Sequence, residues 1–132
     1  MTRTVHLAIS LPAPPARLYE MYLNPQWHAA FTGAPAKIGR KPGTPFSAFG
    51  GILTGRILQA VPKRLVVQSW RSRNWKPTEL DSTLILTFLP EGGGGRIELV
   101  HVNVPESDFG GVSQGWMKFY AEPWRAWLER ER

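Results

Sequence analysis

The sequence contains no cysteine. That excludes disulfides, thiolate nucleophiles and every zinc or iron–sulfur site built on cysteine ligands. Histidine is scarce as well: His6, His28 and His101 are the only three and lie far apart, so no metal site and no cofactor is assigned. No segment approaches the roughly 18 apolar residues that cross a bilayer as a helix. The opening stretch from Met1 to Ser10 lacks the apolar core and small-residue cleavage site of a secretory leader, so a cytoplasmic protein is expected. Acidic residues are few, 10 against 16 lysines and arginines, giving a net charge of +6. The basic residues are nevertheless dispersed. Their densest groups are Lys37, Arg40, Lys41 and Arg71, Arg73, Lys76, and no nucleic-acid motif accompanies them. The surplus reads as a solvated surface, and nucleic acid is not an expected partner.

What is present suits one domain spanning residues 1–132: 42% of residues are hydrophobic, with six tryptophans. Surface scaling gives about 7,000 Å² folded against about 21,000 Å² unfolded, enough burial for a core without staples. The 13 glycines and 12 prolines are spread as punctuation rather than gathered in a tail.

Along the chain, Val5, Leu7 and Ile9 alternate within Thr4–Ser10 and predict a strand with one wet face. Pro14 starts a helix to about Leu23, and Asn24-Pro25 ends it and can cap a second, Pro25 to Phe31, closed by Thr32-Gly33. Period 2 then takes over. Strands are expected at Pro35–Gly39, Pro45–Phe49, Leu53–Ala60, Leu65–Arg71, Ser82–Leu89 and Arg96–Val104, with a hairpin turn across Gly92 to Gly95. From Asp108 the period returns to helical: Val112, Trp116, Phe119, Tyr120, Trp124 and Trp127/Leu128 form a wide aromatic stripe expected to face the sheet. Asp108 and Ser113 are candidate N-caps, Arg125 and Glu129 are spaced for an ion pair, and Pro123 predicts a kink. The order implies an α+β fold, a curved antiparallel sheet of six to seven strands covered by the C-terminal helix.

Particular segments carry a family likeness: Phe31-Thr-Gly33, Phe46-Ser-Ala-Phe49 with Gly50-Gly51-Ile52, Thr54-Gly55-Arg56, and above all Leu65-Val-Val-Gln-Ser-Trp-Arg71. Trp75, Ser82, His101, Val104-Pro105, Gln114-Gly115-Trp116 and Tyr120 extend it. Over about three-quarters of its length the chain resembles the C-terminal domain of the activator of heat-shock protein 90 ATPase and its stand-alone bacterial homologues. That family belongs to the START-like (SRPBCC) helix-grip folds, which include the birch-pollen-allergen-like proteins. Two departures stand out: Asn103 where a glycine is usual, and Pro123 within the terminal helix.

The resemblance implies a cavity between sheet and C-terminal helix that takes a small apolar or amphipathic ligand. Trp70, His101, Asn103, Trp116, Phe119 and Tyr120 are the candidate cavity residues, His101 because Ile97 and Leu99 share its face by period 2. In this fold class the second short helix forms a lid, making Trp27 and Phe31 candidates for a gate, with His28 between them. Arg71 is a candidate for holding an anionic group. No catalytic residue is assigned, because no paired carboxylate or Ser/His/Asp set follows from spacing, and a non-enzymatic role is favoured. Two alternatives remain: a co-chaperone acting on a heat-shock protein 90 type chaperone, and a cyclase-like enzyme using a cavity histidine. Monomer and homodimer are both compatible with the sequence.

Overall fold

The alternation at Val5, Leu7 and Ile9 produces β1 (Thr2–Leu11), and Pro12 and Pro14 end it. In the computed structural model, which describes residues 1–131, two short helices follow: α1 (Pro15–Leu23) and α2 (Pro25–Thr32). The Asn24 side chain accepts the backbone N–H groups of Gln26 and Trp27 at 2.9 and 3.1 Å, capping α2, and Gly33 closes it in the left-handed region at φ 76°. The sheet continues with β2 (Ala36–Lys37), β3 (Pro45–Ala48), β4 (Leu53–Val61), β5 (Leu65–Ser72), β6 (Ser82–Glu91) and β7 (Gly94–Pro105). These strands form one antiparallel seven-stranded sheet in the order β1-β7-β6-β5-β4-β3-β2.

Register places one row of inward residues across the sheet: Val5, His101, Leu84, Gln68 and Ile57 are successive cross-strand partners and all at most 2% exposed. Helix α1 packs Leu18, Met21 and Tyr22 onto this face, and the accessible surface of 7111 Å² agrees with the scaling from chain length.

Three local features depart from expectation. The hairpin between β6 and β7 turns on Gly92 and Gly93 alone, since Glu91 pairs with Gly94. Gly94 and Gly95 are strand residues, and glycine there is steric: a Cβ at 95 would lie 2.6 Å from the Ala13 carbonyl oxygen. Second, β7 bulges opposite β1. His101 faces Val5 and Val104 faces Arg3, so two residues of β7 oppose one of β1. Asn103 takes φ 64° in this bulge, which explains why glycine or asparagine suits the position.

Third, the C-terminal helix is not uniformly α. It runs as α3 (Phe109–Gly115), a π-helical turn over Trp116–Ala121, then α4 (Glu122–Arg130). Glu122 N–H bonds back five residues to Met117, one residue before Pro123, which has no N–H to offer. The expected disruption at Pro123 is thus taken up in the preceding turn by a wider helix. Its consequence is rotational: Trp116, Tyr120 and Trp124 face the sheet, whereas Phe119 is turned outward and 50% exposed. The Arg125–Glu129 pair does not form; Arg125 instead donates to the Ser10 carbonyl at 2.9 Å, fastening α4 to β1. Ser113 caps nothing either, since it lies inside α3 and donates to the Phe109 carbonyl.

Candidate functional site

Close packing fills most of the space between sheet and helix. Phe31 stacks on Trp124 at a ring separation of 4.1 Å and an angle of 8°, and Leu128 is 1% exposed beside this layer. Toward the other end of the helix, beside β4 and β5, the packing opens into a cavity of about 310 Å³. The sheet contributes Leu53, Trp70 and Ser72, and the helix contributes Val112, Trp116 and Tyr120. Phe49 and Ile52, from the β3–β4 connection, and Phe119 stand at the rim, where Ile52 is 39% and Phe119 50% exposed. Asn74 and Asp108 complete the lining beside Ser72.

Trp116 and Tyr120 bond their polar edges to groups outside the cavity lining. Trp116 Nε1–H donates to His101 Nδ1 at 3.1 Å, so that nitrogen must be the unprotonated one. His101 Nε2–H therefore donates to Ser82 Oγ at 2.7 Å, and Ser82 donates in turn to the Trp70 carbonyl at 2.7 Å. On the other side Tyr120 OH donates to His28 Nε2 at 2.8 Å, because His28 Nδ1–H is committed to the Tyr22 carbonyl at 2.7 Å. Tyr22 OH donates to Gln68 Oε1 at 2.6 Å. Trp70 Nε1 is buried and meets no acceptor among the described residues. Along its body the cavity is therefore faced by ring surface and aliphatic carbon, with Ser72, Asn74 and Asp108 at one end.

Burial dominates the electrostatics. It lowers His28 to about 4, overcoming the opposing effect of the Tyr22 carbonyl, and lowers His101 to about 3. Both imidazoles are neutral at physiological pH. Burial also pushes the Tyr120 and Tyr22 hydroxyls well above the usual phenol value.

Of the residues named from sequence, Trp70, Trp116, Phe119 and Tyr120 are brought together around the cavity. His101 is not among them. It faces inward as its periodicity requires, but it is 0% exposed, lies behind Trp70 and Trp116, and has both ring nitrogens engaged. An imidazole so enclosed reaches no cavity contents, which removes the basis for a cavity base. Asn103 does not line the cavity either: the bulge takes it off the His101 face, and its side chain donates to the Asp81 carbonyl at 3.2 Å. Nor do the α2 residues Trp27 and Phe31 lie in the cavity lining. Phe31 is core, and Trp27, 42% exposed, is absent from the lining; the rim is formed by Phe49, Ile52 and Phe119 instead. Arg71 holds no open anion site: it bonds the carbonyls of Glu79 and Lys76, each at 2.6 Å, and the Asp81 carboxylate at 3.1 Å, bracing the β5–β6 loop.

Two residues named from the sequence take roles that it did not show. His28 lies four residues past the Asn24 cap, on the buried side of a short amphipathic helix, yet nothing in its spacing shows that it bonds Tyr120 from 92 residues away. Asp108 reads as a helix cap, but its side chain makes no capping hydrogen bond and faces the cavity.

Comparisons with known proteins agree with this architecture. Residues 12–123 match the family model described as "Activator of Hsp90 ATPase homolog 1-like protein". The human "Activator of 90 kDa heat shock protein ATPase homolog 1" is 29% identical over 108 residues, covering 82% of this chain and 32% of that protein. The chain therefore spans about a third of the length of the curated relatives it matches. Among solved structures, an HSP90 activator from Plasmodium falciparum superposes with a TM-score of 0.87 at 19% identity, covering 96% of each chain. The allergen Ara h 8.0201 superposes with a TM-score of 0.75 at 10% identity, covering 98% of this chain and 99% of the other, which places the fold among the helix-grip proteins. The family-model match extends over most of the described chain, from the end of β1 into α4, and the protein belongs to the activator of Hsp90 ATPase homolog 1-like family.

Proposed function

We propose that this domain binds a small, mainly apolar molecule between β5 and the C-terminal helix. The observation that supports it is the cavity of about 310 Å³ walled by Trp70, Trp116 and Val112, at the lower end of the size range of small-molecule sites. Binding rests on burial of apolar surface against aromatic rings, of which Trp116 and Tyr120 have their polar atoms bonded on the far side, and is worth about 25 cal/mol per Å² of apolar area removed from water before ordering costs. Nothing in this arrangement requires a chemical step. A crystal structure of protein purified from cells tests the reading: continuous density bounded by Trp70 and Trp116 is expected. A cavity collapsed by movement of Phe119 or Phe49 onto Trp116 speaks against it.

The likeness to the human activator favours a second reading, a module that contacts a heat-shock protein 90 type chaperone. The +6 charge then recruits an acidic partner surface, so association weakens steeply with salt. An unchanged chaperone ATPase rate at micromolar protein would count against it.

A further inference from the structure

We infer that the cavity ligand carries a cationic, hydrogen-bond-donating head that Asp108 selects, an inference that rests on the small-ligand reading above. Asp108 is, among the described residues, the one charged residue that lines the cavity. Among the described residues no lysine, arginine or histidine pairs with it; its recorded partner is the neutral Trp75 indole, whose Nε1–H donates to Oδ2 at 2.7 Å. Helix capping does not account for it, because the side chain at this N-cap position makes no capping bond. Oδ1 stands only 2.7 Å from where a Cβ on residue 111 would be, so Gly111, a poor residue inside a helix, leaves room for the carboxylate.

Ser72 and Asn74 gather at the same end: the Asn74 backbone N–H approaches Ser72 Oγ at 3.4 Å, and the neighbouring Trp75 holds Asp108. The cavity is thus polarised, with ring and aliphatic surface along its body and an unpaired carboxylate with two small polar side chains at one end. A carboxylate only accepts hydrogen bonds, so a protonated amine completes it, whereas an anionic head meets like charge with no cation in the lining to offset it. The overall +6 charge suggests anionic ligands; the local charge reverses that preference. At about 30 Å³ for each water-sized volume, the cavity accommodates about ten non-hydrogen atoms, the size of an eight-carbon chain with its head.

The test is calorimetric titration of the full chain at pH 7.5 with octylamine, 1-octanol and octanoate, repeated on Asp108→Asn and Asp108→Ser. Asn retains an acceptor for Trp75 and Ser is a second replacement, so folding of either one suffices. Octylamine is expected to bind at least tenfold more tightly than octanoate, with octanol between them. In either variant the amine and carboxylate should come within about threefold while octanol affinity is kept. Octanol binding with no amine preference, or an amine preference that survives both substitutions, overturns the inference and leaves the small-ligand reading standing. Failure of all three compounds to bind overturns both.

Discussion

Trp116 donates its indole N–H to Nδ1 of His101 at 3.1 Å, and that single bond sets the direction of a buried chain. An indole can only donate, so the imidazole must be neutral and protonated at Nε2, Ser82 must accept from it, and the Ser82 hydroxyl must then point to the Trp70 carbonyl. The chain ties the helix to β7, β6 and β5 just behind the cavity wall. A sheet residue and a helix residue that both line the cavity are thereby fixed relative to each other.

Removing the centre of this chain should be costly. His101→Phe keeps a ring in the space but strands the Trp116 N–H, and a loss of about 3 kcal/mol in urea unfolding is expected. The exposed His6→Phe provides the comparison, expected within about 0.5 kcal/mol of wild type. Equal stabilities for the two variants would contradict the assigned hydrogen bonds.

Acid should destabilise the fold above the carboxylate range. Below pH 6.5 the unfolded chain protonates His28 and His101, whereas the folded chain resists until about 4 and about 3. The unfolded state then binds more protons, so stability is complete above pH 6.5 and falls as pH drops, by about 1.4 kcal/mol per unit for each imidazole. Unfolding free energies at pH 7.5 and 5.5 should differ by about 3 kcal/mol. Equal values at the two pH points would mean that the imidazoles are not buried neutral.

The four consecutive glycines should divide sharply. A Cβ at Gly93 meets nothing within 4 Å, so Gly93→Ala is expected to be neutral within about 0.5 kcal/mol. At Gly95 the same atom would press on the Ala13 carbonyl at 2.6 Å and on Leu18 at 2.8 Å, and Gly95→Ala should cost about 2 kcal/mol. Thermal melts of the pair check the register of the β6–β7 hairpin directly.

Phe119 offers a way to perturb the cavity without the core. Because its ring is half exposed at the rim, Phe119→Ala should cost under about 1 kcal/mol in stability yet weaken 1-octanol binding several-fold. Loss of stability comparable to a core truncation would place the ring elsewhere.

Much of the scaffold was legible in the sequence because local periodicity reports it. Alternation marked the strands, Asn24-Pro25 marked the junction of α1 and α2, and Ile97, Leu99 and His101 gave the inward face of β7. The site was legible only where register persisted. The Asn103 bulge and the π turn at Trp116–Ala121 each add a residue to a regular repeat, and each moved a candidate, Asn103 off its face and Phe119 to the rim. The position of Phe31 was hidden for a different reason: whether it borders the cavity or stacks on Trp124 depends on which end of the helix is packed solid, a property of contacts between distant segments. Asp108 was hidden by its own plausibility as a helix cap.

The most direct test is an ¹H–¹⁵N correlation titration of the protein with 1-octanol, which reads binding and location together. Saturable shifts concentrated in the indole N–H signals of Trp70 and Trp116 and the amides of Gly111 and Gly115, which line the cavity, are the result expected. Shifts that never saturate, or that concentrate on exposed Leu58 and Leu80 away from the lining, would contradict a ligand site between sheet and helix.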